Sequence, residues 1–488
     1  MPALQTSWMA FSTGSQMTAA EIDLRTIGRG LVIAPAGCGK TQLISDALAR
    51  HDGPKPILVL THTNAGVAAL RGRLDRAGVK PSSYRAATLD GFAIRLISTF
   101  PQRAGHDPRI VTAARPNYEA IRDAAARLVA AGHLYDILAA SFAQLFVDEY
   151  QDCSIRQHAL VTWLAQSLPT AIVGDPFQAI FGFGADPLAD WQKDVLSFFP
   201  KVRELATPWR WNNAGAHDLG QWLLSIRPDL AAGKPIDLRN APGSVQWVQL
   251  DGRQDDALRQ AAAAVAAPGD TKVLIIGDST DPRGQQRFAR QVEGAVTVEA
   301  VDLRDLTDFG SALDLARPEA LSTVAHFAES LMSAFSADDL VRSVAAARTG
   351  NLGRPLSGIE QAGMSFEASR SLADVADLLS AINRAGGVRC YRPAVLAAAQ
   401  RALQLATSPD GPSFREATVT IREYSRLIGR PLAKRSVGST LLLKGLEADI
   451  SVILNGSALN ARNLYVAMSR GSRRVVVCSP SPILNPPW

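Results

Sequence analysis

Short apolar, β-branched runs punctuate the chain, and most are followed by a stretch whose apolar positions fall at helical spacing. Leu31–Pro35, Pro56–Thr61, Leu145–Glu149 and Ala171–Asp175 read as buried parallel strands, since a strand covered on both faces needs no polar alternation. Lys272–Asp278, Ile450–Asn455 and Arg474–Ser479 have the same character. Strands alternating with helices predict doubly wound α/β layers. Two stretches, about 97–142 and 300–430, break the alternation. In the second, Leu321, Val324, Phe327, Ala328 and Leu331 recur at helical spacing, as do Leu372, Val375, Leu378, Leu379 and Ile382. Both stretches read as helical insertions, and no fixed-period repeat is evident.

Composition narrows the class without naming a ligand. With 488 residues, 47% of them hydrophobic, the chain has apolar material for several globular domains. A net charge of +5 permits nucleic acid as a partner and by itself says little more. The four cysteines (Cys38, Cys153, Cys390, Cys478) form no CxxC pair, which argues against a zinc site or disulfide framework. No run reaches the roughly 18 apolar residues of a membrane span, and the first residues lack a basic leader with an apolar core. A cytoplasmic protein without membrane association is the expectation.

Two motifs carry chemistry. Ala34-Pro35-Ala36-Gly37-Cys38-Gly39-Lys40-Thr41 lies between a strand and a helix. Gly37 and Gly39 let the backbone curl so that N–H groups, including that of Cys38, surround phosphate oxygens; Lys40 neutralises β/γ charge and Thr41 ligates Mg²⁺. Ala34 stands where the strict phosphate-loop pattern has glycine. Phe146-Val147-Asp148-Glu149 closes a strand: Asp148 is placed to hold the Mg²⁺ shell and Glu149 to polarise an attacking water.

Further motifs follow in order. They are Thr61-His62-Thr63-Asn64 with Arg71, Thr88-Leu89-Asp90-Gly91-Phe92-Ala93, Asp148-Glu149-Tyr150-Gln151-Asp152, and the segment Val173 to Phe183. Pro208-Trp209-Arg210, Leu443-Lys444-Gly445-Leu446-Glu447-Ala448-Asp449 and Leu464 to Gly471 complete the series. Together they resemble the motifs of the UvrD/Rep/PcrA family of superfamily-one helicases. The resemblance implies two RecA-like P-loop motor domains with reduced helical insertions and an ATP-dependent DNA helicase or translocase moving 3′→5′ on single-stranded DNA. ATP and Mg²⁺ would be its cofactors.

It further implies that Lys40, Thr41 and Asp148 bind Mg-nucleotide, that Glu149 is the general base, and that Gln178 senses the γ-phosphate. Arg210 and Arg470 would be paired arginine fingers, and Glu447 would accept from a ribose hydroxyl. Trp209 either stacks on adenine or packs internally. Phe183 and Phe181 face the same choice between stacking on bases and core packing. Thr63, Asn64 and Phe92 are further strand-contacting candidates. The implied layout is a first motor domain at 1–96 and 143–205 with an insertion at 97–142, and a second at 206–300 and 431–488 with an insertion at 301–430.

Several positions depart from the family. Glu21 stands in place of the adenine-reading glutamine, Asp90 and Leu441 in place of histidines, and Gly184 in place of arginine. The short insertions resemble those of the helicase-like subunit of the Gabija anti-phage system, which implies antiviral defence with a nuclease or ATPase partner. An ATP-binding regulatory or scaffolding subunit with little unwinding of its own stays open as the alternative.

Overall fold

The computed structural model describes residues 22–112, 116–182, 186–300, 302–425 and 432–487. Glu21, Phe183, Gly184 and Trp488 lie outside the described residues. The first six strands are β1 (Arg29–Ile33), β2 (Ile57–Thr61), β3 (Tyr84–Thr88), β4 (Leu145–Val147), β5 (Thr170–Gly174) and β6 (Lys201–Glu204). They form one parallel sheet in the order β3-β2-β4-β5-β1-β6. The next is β7 (Ile236–Asp237), followed by β8 (Val245–Gln249), β9 (Val273–Gly277) and β10 (Ala295–Thr297). After β11 (Met332–Ser333) and β12 (Arg389–Cys390) come β13 (Arg435–Ser439), β14 (Ala448–Ile453), β15 (Gly471–Ser479) and β16 (Ile483–Leu484). The second parallel sheet runs β10-β13-β9-β14-β15-β8. Two short antiparallel pairs, β11 with β12 and β7 with β16, stand apart from both sheets. The fold is α/β, two RecA-like domains with flanking helices.

Alternation of side chains along the buried strands divides them between two cores. Leu31, Leu58, Leu60, Val147 and Ile172 pack on one face against Leu89, Ile121 and Leu160. Val32, Val59, Phe146, Ala171 and Val173 pack on the other, against Leu43, Ile44 and Leu70. At about 1.5–3 kcal/mol for each large apolar side chain buried, this double covering is why the uninterrupted runs become central strands. The strands missed by the apolar pattern are polar or short. β6 at the edge is exposed at every residue, and β13 carries Arg435, Ser436, Gly438 and Ser439. Helices dominate 304–425, with a core of their own built on Leu321, Val324, Leu378, Leu379, Val395 and Leu403.

The connections place the chemistry. Every strand of the first sheet runs the same way, so the loops leaving their carboxyl ends gather at one edge, where open α/β sheets bind ligands. That edge carries Ala34–Gly39 after β1, His62 after β2, Asp90 after β3, Asp148 and Glu149 after β4, Asp175 after β5 and Trp209 with Arg210 after β6. The second sheet meets it with the starts of two strands, as Glu447 precedes β14 and Arg470 precedes β15.

Candidate nucleotide and nucleic-acid site

The loop after β1 curls through two left-handed glycines, Gly37 at φ +69° and Gly39 at φ +86°. A Cβ at Gly37 would strike the buried Trp211, and one at Gly39 would sit 3.2 Å from Trp209 Cδ1. The helix Lys40–Ala49 starts directly after, with no side-chain cap, so its first N–H groups face the cleft and favour an anion. Cys38 is buried, and its N–H donates to Pro35 O at 3.1 Å, closing the turn.

Opposite the loop, Glu149 has φ +57°, a left-handed backbone for a residue with a Cβ. Such conformations cost of order 1–3 kcal/mol and persist where surrounding contacts fix them. Here Lys40 Nζ donates to Glu149 Oε2 at 2.5 Å, and Gln151 Nε2 donates to the same oxygen at 2.5 Å. Burial works against the Glu149 charge, but Lys40 and Lys444 outweigh it and hold its pKa down to about 2. Burial and then repulsion from Glu149 push Asp148 the other way, to about 6. Lys40 loses stabilisation to burial, yet Glu149 and Asp148 more than restore it and raise its pKa.

The second domain supplies cations and a carboxylate. Arg470 is buried; its Nη2 donates to Gln178 Oε1 at 3.3 Å and to Ser469 Oγ at 2.9 Å. Burial and the nearby Arg210 lower its pKa to about 10, so it stays charged near neutrality. Arg210 donates to Ser469 O at 2.7 Å and pairs with Glu447. Burial disfavours the Glu447 carboxylate, but Arg210 and Arg470 still leave its pKa below the usual value. Gln178 Nε2 donates to Asp175 Oδ2 at 3.0 Å, so the amide lies between a carboxylate and a guanidinium.

Lys444 has no assigned role in the sequence reading, yet it spans the domains. Its ammonium donates to both Asp152 oxygens at 2.6 Å and to Gln178 O at 2.5 Å, and stands 4.5 Å over the Phe181 ring. Burial raises the Asp152 pKa to about 6 despite this partner. His62, in the same cleft, is pushed down to about 4, by burial first and Lys444 second. Its Nε2 lies 3.5 Å from Cys153 Sγ.

One cleft of about 1580 Å³ joins these groups, from the phosphate loop, Trp209 and Glu447 to Thr63, Asp90 and Phe181. Trp209 is half-buried at its wall, and it is Trp211 that fills the core. Phe181 is 38% exposed beneath the Lys444 ammonium, so part of its ring is left to solvent. Thr63 is exposed and caps the helix Asn64–Arg76 by accepting from Gly66 N at 3.0 Å; Asn64, also exposed, opens that helix. Phe92, expected as a strand contact, is not among the residues that line the cleft. It is buried on the inward face of the helix Leu89–Thr99, edge-on to Phe142 at 6.4 Å, because its helical spacing with Leu89 and Leu96 turns it to the core. Asp90 is held by Arg122 Nε and Nη2 at 2.7 and 2.6 Å and by Gln157 Nε2 at 3.0 Å.

The contents of the cleft suit phosphoryl transfer: an anion-binding loop, adjacent carboxylates and cations on the facing domain. Oxygen donors on Thr41 and the buried Asp148 fit a hard divalent cation that takes its remaining ligands from phosphate and water. Among the described residues no cluster of three or more His, Cys, Asp or Glu could hold a metal alone, and no helix is long and apolar enough to cross a membrane.

Residues 15–136 and 117–189 match the family model of the UvrD/REP helicase N-terminal domain. No curated protein matches the chain. A solved structure, that of the Pif1 helicase from Candida albicans, aligns at a TM-score of 0.39 with 11% identity, over 92% of this chain and 91% of that one. The domain match, over the part of the chain that holds the phosphate loop and Asp148–Glu149, supports a superfamily-one helicase.

Proposed function

We propose that this protein is a DNA-stimulated ATPase that translocates 3′→5′ along single-stranded DNA, with 1–96 and 143–205 as the first motor domain and 206–300 and 431–488 as the second. The insertions are 97–142 and 301–430. The observation that carries the reading is the Gln178 amide, shared between Asp175 of the first domain and Arg470 of the second within the cleft that holds Lys40 and Glu149. A γ-phosphate entering there would meet charges from both domains, so hydrolysis and domain closure would be tied together.

In this reading the loop N–H groups of Gly37 and Gly39, with Lys40, hold the phosphates, while the Cys38 N–H closes the turn on Pro35 O. Thr41 and Asp148 would hold Mg²⁺, which supplies charge neutralisation on the phosphates. Phosphate oxygens would draw Lys40 away from Glu149, leaving that carboxylate to take the proton of the attacking water. With Lys40 withdrawn, Lys444 and the Gln151 amide still favour its ionised form, while the loss of Lys40 lets its basicity rise. Arg470 and Arg210 stabilise charge growing on the transferred group, Trp209 stacks on the base, and Glu447 accepts from the ribose once nucleotide competes for Arg210. The strand lies along the exposed face of Phe181 and, by motif position, Phe183. Its phosphates meet the helix end at Thr63 and Asn64, where the dipole favours negative charge.

The test measures ATP hydrolysis with and without oligothymidylate, then streptavidin displacement from each end of a biotinylated strand. Expected are hydrolysis raised at least tenfold by the strand, displacement at the 5′ end, and loss of both in Glu149→Gln and Lys40→Ala. Strand-independent turnover, or turnover surviving in Lys40→Ala, overturns the motor reading. The resemblance to the Gabija helicase-like subunit extends the proposal to anti-phage defence beside a nuclease or ATPase partner. Co-purification with such a partner and no displacement by the isolated chain would favour the regulatory-subunit alternative.

A further inference from the structure

Arg227 belongs to none of the motifs, yet it makes a deeply buried ion pair with Asp175, behind the residues that line the cleft. It opens the helix Arg227–Ala231, whose neighbours Ile226 and Leu230 share a core with Leu274, Ile276 and Val475 of the second sheet. Its Nη1 donates to Asp175 Oδ2 at 3.0 Å and its Nη2 to Asp175 Oδ1 at 2.8 Å. Asp175 ends β5 of the first domain and is fully buried. The guanidinium lies 4.6 Å from the Phe177 ring and 5.0 Å from the Tyr465 ring. A buried carboxylate is tolerated when a planar fork meets both its oxygens, so Arg227 fixes where each Asp175 oxygen points.

The fixed oxygen is the one that matters to the cleft. Asp175 Oδ1 also accepts from Phe177 N at 3.1 Å, and Oδ2 accepts from Gln178 Nε2 at 3.0 Å. The other end of that amide accepts from Arg470 at 3.3 Å. An amide held by a carboxylate at its nitrogen and a guanidinium at its oxygen has one favoured orientation, since a flip would set oxygen against oxygen.

We propose that Arg227 is a positioning residue: acting from the second domain through Asp175, it sets the orientation of the Gln178 amide that meets the γ-phosphate. The inference rests on the proposed ATPase reading and deepens it. A purely structural pair would hold the domains together without regard to which phosphates are bound. A positioning pair acts on the triphosphate and leaves the diphosphate alone.

The experiment compares wild type, Arg227→Met, Arg227→Lys, Gln178→Ala and Arg227→Met with Gln178→Ala. Each is assayed for melting temperature, for affinity toward mant-ADP and mant-AMPPNP, and for kcat at saturating ATP and oligothymidylate. Expected in Arg227→Met are a kcat at least tenfold lower and mant-AMPPNP binding at least fivefold weaker, with mant-ADP binding within twofold of wild type. The double variant should be no worse than Gln178→Ala, since both changes remove one unit. Arg227→Lys keeps the charge but cannot span both oxygens; it should show the same selective loss, and it carries the test if Arg227→Met melts below the assay temperature. Equal weakening of both nucleotides, an unchanged kcat, or additive losses in the double variant would overturn the proposal. If Gln178→Ala itself hydrolyses ATP normally, the role given to Gln178 fails. If wild type shows no hydrolysis, the ATPase reading fails first.

Discussion

Neighbouring carboxylates on one turn are driven in opposite directions, Asp148 up to about 6 and Glu149 down to about 2. Asp148 is protonated in both folded and unfolded chains below 3.8; between 3.8 and about 6 the folded form retains a proton that the unfolded form has released. Folding therefore loses stability as pH rises through that window, and the full cost stands above about pH 6. Glu149 behaves in the reverse sense, its contribution present above 4.5 and lost as pH falls toward about 2. Asp148→Asn should accordingly be more stable than wild type above pH 6, by about 3 kcal/mol at 1.36 kcal/mol per unit, and equal to it below pH 4. Thermal melts across pH check this, and a constant offset at every pH would contradict it. Lys40, Thr41, Asp148 and Glu149 are legible from sequence because each sits in a short local pattern. Arg227 is not legible, as its partner lies 52 residues away and its meaning arises only when two domains meet.

At the scale of elements, the phosphate loop depends on backbone shape as much as on Lys40. Gly37→Ala would hold an alanine at φ +69° and press its methyl group into Trp211. Left-handed strain and overpacking together cost about 2–5 kcal/mol. Denaturant unfolding should show that loss, and mant-ATP titration should show at least tenfold weaker binding. Wild-type values for both would mean the loop tolerates another path. The same contrast explains what periodicity reveals. Strands covered on both faces, such as β2 with every residue buried, advertise themselves as apolar runs. β3 (YRAAT), β6 (KVRE) and β13 (RSVGS) carry no such run, because backbone pairing supplies what their side chains do not. Phe92 shows the matching limit within a motif, where position in a string says nothing of which helix face is inward.

Across the whole molecule, Lys444 to Asp152 and Arg470 to Gln178 tie the facing walls of a single cleft. Phe181 lies under the same Lys444 that grips Gln178 O, so the bed proposed for the strand and the pocket proposed for the nucleotide share a residue. That shared volume has a thermodynamic consequence. Two ligands drawing on one set of contacts complete a closed cycle of four states, and the free energy around a cycle sums to zero. Whatever factor oligothymidylate confers on mant-AMPPNP affinity, mant-AMPPNP must return to oligothymidylate. Titrations in both orders should give equal factors, and Lys444→Met should move both by the same amount. A Lys444→Met variant with wild-type coupling would assign the communication to another contact. The strand's effect on nucleotide affinity and the nucleotide's effect on strand affinity would then be one coupling constant measured from two sides.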